Sequence, residues 1–131
     1  MKASEAAKQR DLERYHAQKD LLPKKARKTP IGVVGVGSIG SFAVLSMAKM
    51  GMEDIRVMDF DSVEEHNIAN QLYPEDMVGE KKVRALQVTT RAFTGTTITT
   101  ADQKWDGEDL GTPVVVSAVD NMDVRAAMWK V

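Results

Sequence analysis

Cysteine is absent from the 131 residues. That excludes disulfides, thiolate zinc sites, thioester formation and iron–sulfur ligation within this polypeptide. Histidine occurs only at His16 and His66, too few for a histidine-rich metal site, and both are expected on the surface. No apolar run approaches the ~18 residues of a membrane span, and the N-terminus lacks the apolar stretch of a signal peptide. The expected compartment is therefore the cytoplasm, with no membrane partner. There is no internal repeat and no low-complexity tract.

What is present is the composition of an ordinary globular domain, 43% hydrophobic and 28% charged, at about one domain's length. The net charge of −1 conceals a division: residues 1–30 hold nine Lys/Arg and four Asp/Glu, the remainder nine and fifteen. A basic leader on an acidic body can grip nucleic acid or phosphates. The simpler reading is a solvated helix with a basic linker, and nucleic acid is not the expected partner.

Residues 3–19 favour helix, with Ser4 able to cap the start. Leu21-Leu22-Pro23 breaks it, and 24–29 reads as linker. Residues 1–29 are thus expected as an N-terminal helix and basic linker, and 30–131 as the folded domain. Residues 31–36 form a wholly apolar strand of the kind buried on both faces of a parallel sheet. Residues 39–50 predict a helix ending at Gly51, with Met47, Met50 and Met52 in its core face and end. Strands are predicted at 54–60, 96–101 and 114–119, and helices at 80–93 and 122–130. This alternation predicts an α/β fold, a Rossmann-like and mainly parallel sheet flanked by helices. Trp105 and Trp129 are expected as anchors for packing or for a partner.

Gly35-Val36-Gly37-Ser38-Ile39-Gly40 is a G-x-G-x-x-G between a strand and a helix. Glycines let the backbone approach a phosphate, and the helix start supplies free N–H groups and a positive dipole end. Ser41 and Phe42 stand where a P-loop needs Lys and Ser/Thr, so a P-loop NTPase is excluded. Asp59 closes the second strand at the distance expected of the acid that binds ribose hydroxyls. At this point the ligand is an adenine nucleotide of unspecified kind, and an NAD(P)-dependent oxidoreductase stays open.

The segments Asp59-Phe60-Asp61-Ser62-Val63, Asn67-Ile68-Ala69-Asn70-Gln71, Val78-Gly79-Glu80-Lys81-Lys82 and Asp120-Asn121 with Arg125 narrow the choice. Together with the glycine loop and Arg14-Tyr15-His16-Ala17-Gln18, this order of motifs resembles the adenylating family of ThiF, MoeB and HesA, which includes the ubiquitin-activating enzymes. The resemblance covers residues 14–125. It implies an ATP-dependent adenylyltransferase that activates a carboxylate, usually the C-terminus of a ubiquitin-like protein or a peptide, as an acyl-adenylate. Lys82 would face the phosphates, and Asp120 would hold Mg²⁺. Asp59 would hold the ribose, and Asn67 and Gln71 would bind nucleotide or neighbouring loops. Gly35, Gly37 and Gly40 would line the pocket. Asp61 is read as either a turn residue or a ligand contact, and Asp120 has the alternative of capping the following helix. Arg125 is expected as a structural partner of a carboxylate. A homodimer, or a partner chain completing an abbreviated domain, is implied as well.

Two departures stand out. Ala17 and Asn70 occupy the places of two phosphate-binding arginines of the family. Arg14, Lys19, Lys24 and Lys25 are the candidate replacements, and the alternative is a non-catalytic module that binds a nucleotide or a partner. The family's later strands and catalytic or zinc-binding cysteines are also lacking, as expected of the N-terminal part of something longer or of a pared-down member.

Overall fold

The computed structural model describes residues 2–131, the Lys2 side chain excepted. Four parallel strands, β1 (Ile31–Val34), β2 (Ile55–Asp59), β3 (Thr99–Asp102) and β4 (Val114–Ser117), form a sheet ordered β3-β2-β1-β4. The α-helices are α1 (Lys2–Arg14), α2 (Lys24–Arg27), α3 (Gly40–Met50), α4 (Lys82–Thr94) and α5 (Met122–Trp129). The Rossmann-like, mainly parallel architecture expected of the sequence is the one observed.

β1 is buried at every position because it lies inside the sheet, which is why it reads as an unbroken apolar run. The β1-α3-β2 and β2-α4-β3 crossovers step outward in the same direction, and parallel crossovers share one hand. α3 and α4 therefore pack side by side, α3 against β1 and α4 against β2 and β3. Between them and the sheet lies the core, including Val33, Val36, Val44, Ile55, Val57, Leu86 and Ile98. The chain then returns to the far side of β1 as β4. Strand order thus reverses between β1 and β4, and crevices at such points, beyond the carboxyl ends of the strands, are where open α/β sheets bind ligands. The β3–β4 connection contains no helix; Leu110 and Thr112 lie over Gly32 instead. No described helix is long and apolar enough to cross a membrane.

Several boundaries depart from expectation. α1 ends at Arg14, the chain then passes through a 3-10 turn at His16–Gln18, and Ser4 lies inside α1. The stretch expected as linker contains α2. α4 begins at Lys82 and not at residue 80, because the preceding backbone is already paired. Val63 N–H donates to Glu80 O (2.8 Å), Gly79 N–H to Val63 O (2.9 Å) and Lys82 N–H to Asp61 O (2.9 Å). Met52 is buried and Met47 half-buried, but Met50 is 46% exposed, and Trp129 at 92% exposed anchors nothing among the described residues.

The basic N-terminal segment is fastened to helix ends. Arg14 Nη1 donates to Thr94 O at the end of α4 (2.6 Å), Gln18 Nε2 to Lys49 O (3.0 Å) and Arg27 Nε to Gly51 O (3.0 Å) at the end of α3. These terminal carbonyls lack intrahelical partners and carry the negative end of the helix dipole. Arg27 also stacks over the buried Tyr15 ring at 4.5 Å and pairs with the more exposed Glu53 at 3.6 Å. The ring and the carbonyl outweigh the ion pair, since exposed pairs contribute only ~0–1 kcal/mol. Arg27→Ala is expected to lower unfolding stability by about 1–3 kcal/mol, and Glu53→Ala by under about 0.5 kcal/mol. Urea denaturation of both variants checks this ordering.

Candidate functional site

The glycine loop leaves β1 at the strand-order reversal, and its glycines are there for different reasons. Gly35 has φ +91°, and a Cβ on it would sit 2.9 Å from the carbonyl of Ala118, at the end of β4. A Cβ on Gly40 would overlap the Gly35 carbonyl oxygen, so α3 can start against the turn only with glycine there. Gly37 is not crowded: an added Cβ would meet only the Gln71 side chain, at 3.7 Å. Its N–H makes no hydrogen bond among the described residues, while its carbonyl accepts from Ser41 N–H (3.0 Å).

Asp59, half-buried at the end of β2, organises the turn. Its Oδ2 accepts from Val36 N–H (2.9 Å) and its Oδ1 from Asp61 N–H (2.8 Å). Each carboxylate oxygen has further acceptor capacity. Ser41, fully buried, donates to Gly37 O (2.5 Å) and accepts from Leu72 N–H (3.1 Å). The Tyr73 hydroxyl donates to Val36 O. Burial, and after it the charge of Asp59, raises the Tyr73 phenol well above its ordinary pKa, so it remains a donor.

Lys82, the first residue of α4, is 7% exposed, with its ammonium 4.0 Å from the exposed Asp61 carboxylate. No hydrogen bond to that ammonium occurs among the described residues, and buried lysine is rare unless paired. Asp61 therefore takes the turn role expected as one of its two alternatives, and its carboxylate faces the cation. Asn67 is buried and its Oδ1 accepts from Glu64 N–H (2.8 Å), which gives it the loop-holding alternative. Gln71 lies beside Gly37, and its Oε1 is buried without a hydrogen-bond partner.

Asp120 follows β4 and is exposed. The cap of α5 is its neighbour Asn121, whose Oδ1 accepts from Asp123 N–H (2.9 Å) and Val124 N–H (3.1 Å). Asp120 is thereby excluded as that cap, and its carboxylate makes no hydrogen bond or ion pair among the described residues. Arg125 also differs from expectation: it lies within 3.9 Å of Met122 Sδ and pairs with no carboxylate among the described residues. The structure brings Gly35, Asp59 and Asp120 into one cleft of about 210 Å³. Gly37, Gly40, Asn67, Gln71, Asp61 and Lys82, expected in the same site, do not line it.

Phe60, Lys104 and Trp105 also line the cleft, although the sequence reading assigned none of them to the nucleotide site. Lys104 Nζ stands 5.7 Å from the Phe60 ring centroid. All three come just after β2 or β3, and the rule that ligands sit beyond strand carboxyl ends was the available signal. A larger cleft of about 350 Å³ between β4 and α5, walled by Val115, Met128 and Trp129, holds neither the glycine loop nor a strand-end carboxylate.

The donor set fits a nucleotide: an unengaged Gly37 N–H, an orphaned Gln71 oxygen and an underused buried cation. It also fits Mg²⁺ arriving with phosphates, which commonly uses one or two protein carboxylates. No group of three or more metal-binding side chains occurs among the described residues. The four replacement cations are elsewhere. Arg14 is tied to α4's last carbonyl, and Lys19, Lys24 and Lys25 belong to the segment clipped to the far end of α3, which is about 16 Å long. Ala17 and Asn70 are both exposed.

The chain is similar to ubiquitin-like modifier-activating enzyme 5 of Drosophila ananassae, 29% identical over 123 residues, covering 80% of this chain and 31% of the fly protein. The same enzyme of Drosophila willistoni is 28% identical over 135 residues, covering 89% and 33%. The chain thus spans about a third of the length of the curated relatives it matches. Among solved structures, the tRNA N6-threonylcarbamoyladenosine dehydratase TcdA of E. coli matches with a TM-score of 0.80 and 25% identity, over 90% of this chain and 54% of that one. A structure of TcdA in complex with ATP matches equally well, at 26% identity over 89% and 53%. The ThiF family model matches residues 8–131, and the chain belongs to that family.

Proposed function

We propose that the chain binds ATP in the crevice between β1 and β4 and uses it to adenylate a carboxylate. The observation that carries this reading is Lys82, a buried cation linked to Asp59 through Asp61, its charge met among the described residues only by Asp61 at 4.0 Å. A dehydrogenase has no evident use for it, whereas an attack on phosphorus does. In that reaction a carboxylate oxygen bonds to the α-phosphorus of ATP, the bond to the bridging oxygen of the β-phosphate breaks, and pyrophosphate leaves with the electron pair. Charge grows on the phosphoryl oxygens meanwhile, and pre-positioned donors stabilise it.

Lys82, the N–H of Gly37 and the N-terminus of α3 would meet the phosphates. Asp59 would accept from ribose hydroxyls with its remaining lone pairs, and the Phe60–Lys104–Trp105 wall would receive the base. Asp120 would hold Mg²⁺, which supplies charge neutralisation when bound. ATP bound to a structural neighbour supports the nucleotide. A ubiquitin-like protein or a peptide C-terminus is the proposed acyl substrate, following the name of the fly relatives. A homodimer or a completing partner chain remains part of the proposal.

One observation favours a second reading, nucleotide binding without turnover: no arginine lines the cleft, and arginines aimed at transferring phosphoryl groups contribute ~10³–10⁵ in rate. Pyrophosphate exchange separates the two, because only adenylation returns label from pyrophosphate to ATP. Exchange on adding a peptide carboxylate supports adenylation, and ATP binding with no exchange for any carboxylate supports the second reading. In calorimetric titration with ATP and Mg²⁺, Lys82→Ala is expected to weaken binding about 10–100-fold, the loss of one charge-assisted contact. Preference for NAD⁺ in the parallel titration sinks both readings. Asp120→Asn is expected to lower the exchange rate by at least ~10²-fold while ATP still binds.

A further inference from the structure

We infer that Tyr73 and Ser41 are positioning residues for the nucleotide site, holding the glycine loop open by binding its carbonyls. The inference rests on the ATP-site reading above. Both polar groups of the Val36 peptide residue are engaged by side chains from separate parts of the chain: its N–H by Asp59 at 2.9 Å, its carbonyl by the Tyr73 hydroxyl. One residue on, Gly37 O accepts from Ser41 Oγ at 2.5 Å and from Ser41 N–H at 3.0 Å, and Ser41 Oγ in turn accepts from Leu72 N–H at 3.1 Å.

Tyr73 is 3% exposed and Ser41 0%. A loop of this kind binds phosphate with its N–H groups, so carbonyls turned toward the ligand would repel it. Each carbonyl held by a buried hydroxyl is turned away from the ligand side, and the peptide plane then presents the following N–H outward. Tyr73 and Leu72 directly follow Gln71, whose side chain lies against Gly37. The 67–73 segment thus grips the loop at three successive residues. The same Asp59 that would bind ribose also holds Val36, so ribose and phosphate contacts are set by one rigid unit.

Tyr73→Phe keeps the ring and removes only the hydroxyl. The test combines amide hydrogen exchange of the full chain with ATP titration for wild type, Tyr73→Phe and Ser41→Ala. Expected is exchange about tenfold or more faster at the hydrogen-bonded loop amides of Val36 and Ser41 in both variants, with amides of β1, β2 and α4 unchanged, and ATP affinity reduced about 10–100-fold, the usual scale for loss of a supporting contact. Exchange that accelerates equally throughout the core marks the hydroxyls as merely structural and overturns the inference. So does a loop that exchanges as in the wild type. If the wild-type chain binds no ATP, the ATP-site reading fails by itself, while loop-specific exchange still decides whether the two hydroxyls position the loop. A double variant no worse than the worse single one supports a shared unit. Strict additivity on both readouts counts against it.

Discussion

The close approach of Gly35 to Ala118 governs the rest of the molecule. The turn after β1 passes so near the end of β4 that no side chain fits between them, and Gly35 N–H is taken by Met58 O of β2 at 2.9 Å. Three strands are thereby tied at their carboxyl ends, and the loop that follows has nowhere to go but over the sheet edge. Gly40, packed on the Gly35 carbonyl, then fixes where α3 begins and which way its N-terminus points. Asp59 and Asp120 flank this point because they end β2 and follow β4. Their meeting in one cleft is thus a consequence of strand register, not of any attraction between two carboxylates.

That cleft is acidic on two sides, whereas much of the chain's positive charge is committed elsewhere. Arg14 and Arg27 bind carbonyls at the ends of α4 and α3, and Arg56 is engaged by Asp54 at 2.9 Å. Lys81 reaches Phe60 O and stands 3.7 Å from Asp102. Two of the nine basic residues in the first 30, Arg14 and Arg27, thus have a structural use at helix ends. Two parallel helices end on the same side of the sheet, and their negative ends require cations.

The parts of the fold that were legible in the sequence are those set by local pattern. β1 and α3 announce themselves because one is apolar at every position and the other runs from a glycine turn to Gly51. Asp59 was legible for the same reason: it sits at a fixed spacing from the loop. What was hidden depends on partners distant in the chain. The linker at 24–29 becomes α2 next to Tyr15 and Gly51, contacts that no window of 11–18 residues contains. Phe60, Lys104 and Trp105 meet only because β2 and β3 are neighbours in register, Asp59 opposite Asp102. Asn121 and Asp120 are equally good caps on composition, and only the geometry at the start of α5 separates them.

The family arginines at the positions of Ala17 and Asn70 bear on the same electrostatic question. A triphosphate entering a crevice walled by Asp59 and Asp120 needs compensating charge from groups that do not have to be carried in. The α3 N-terminus contributes roughly half a unit, and Lys82 contributes a full one that water screens little, since its side chain is 8% exposed. Lys104 adds a third source, held near the Phe60 ring but solvated, and so weaker per unit charge. With the arginine positions empty of charge, Asp120 would act less as one more negative wall than as the anchor for a divalent cation. On that ground phosphate binding should depend more steeply on Mg²⁺ here than in a cleft that carries its own arginines.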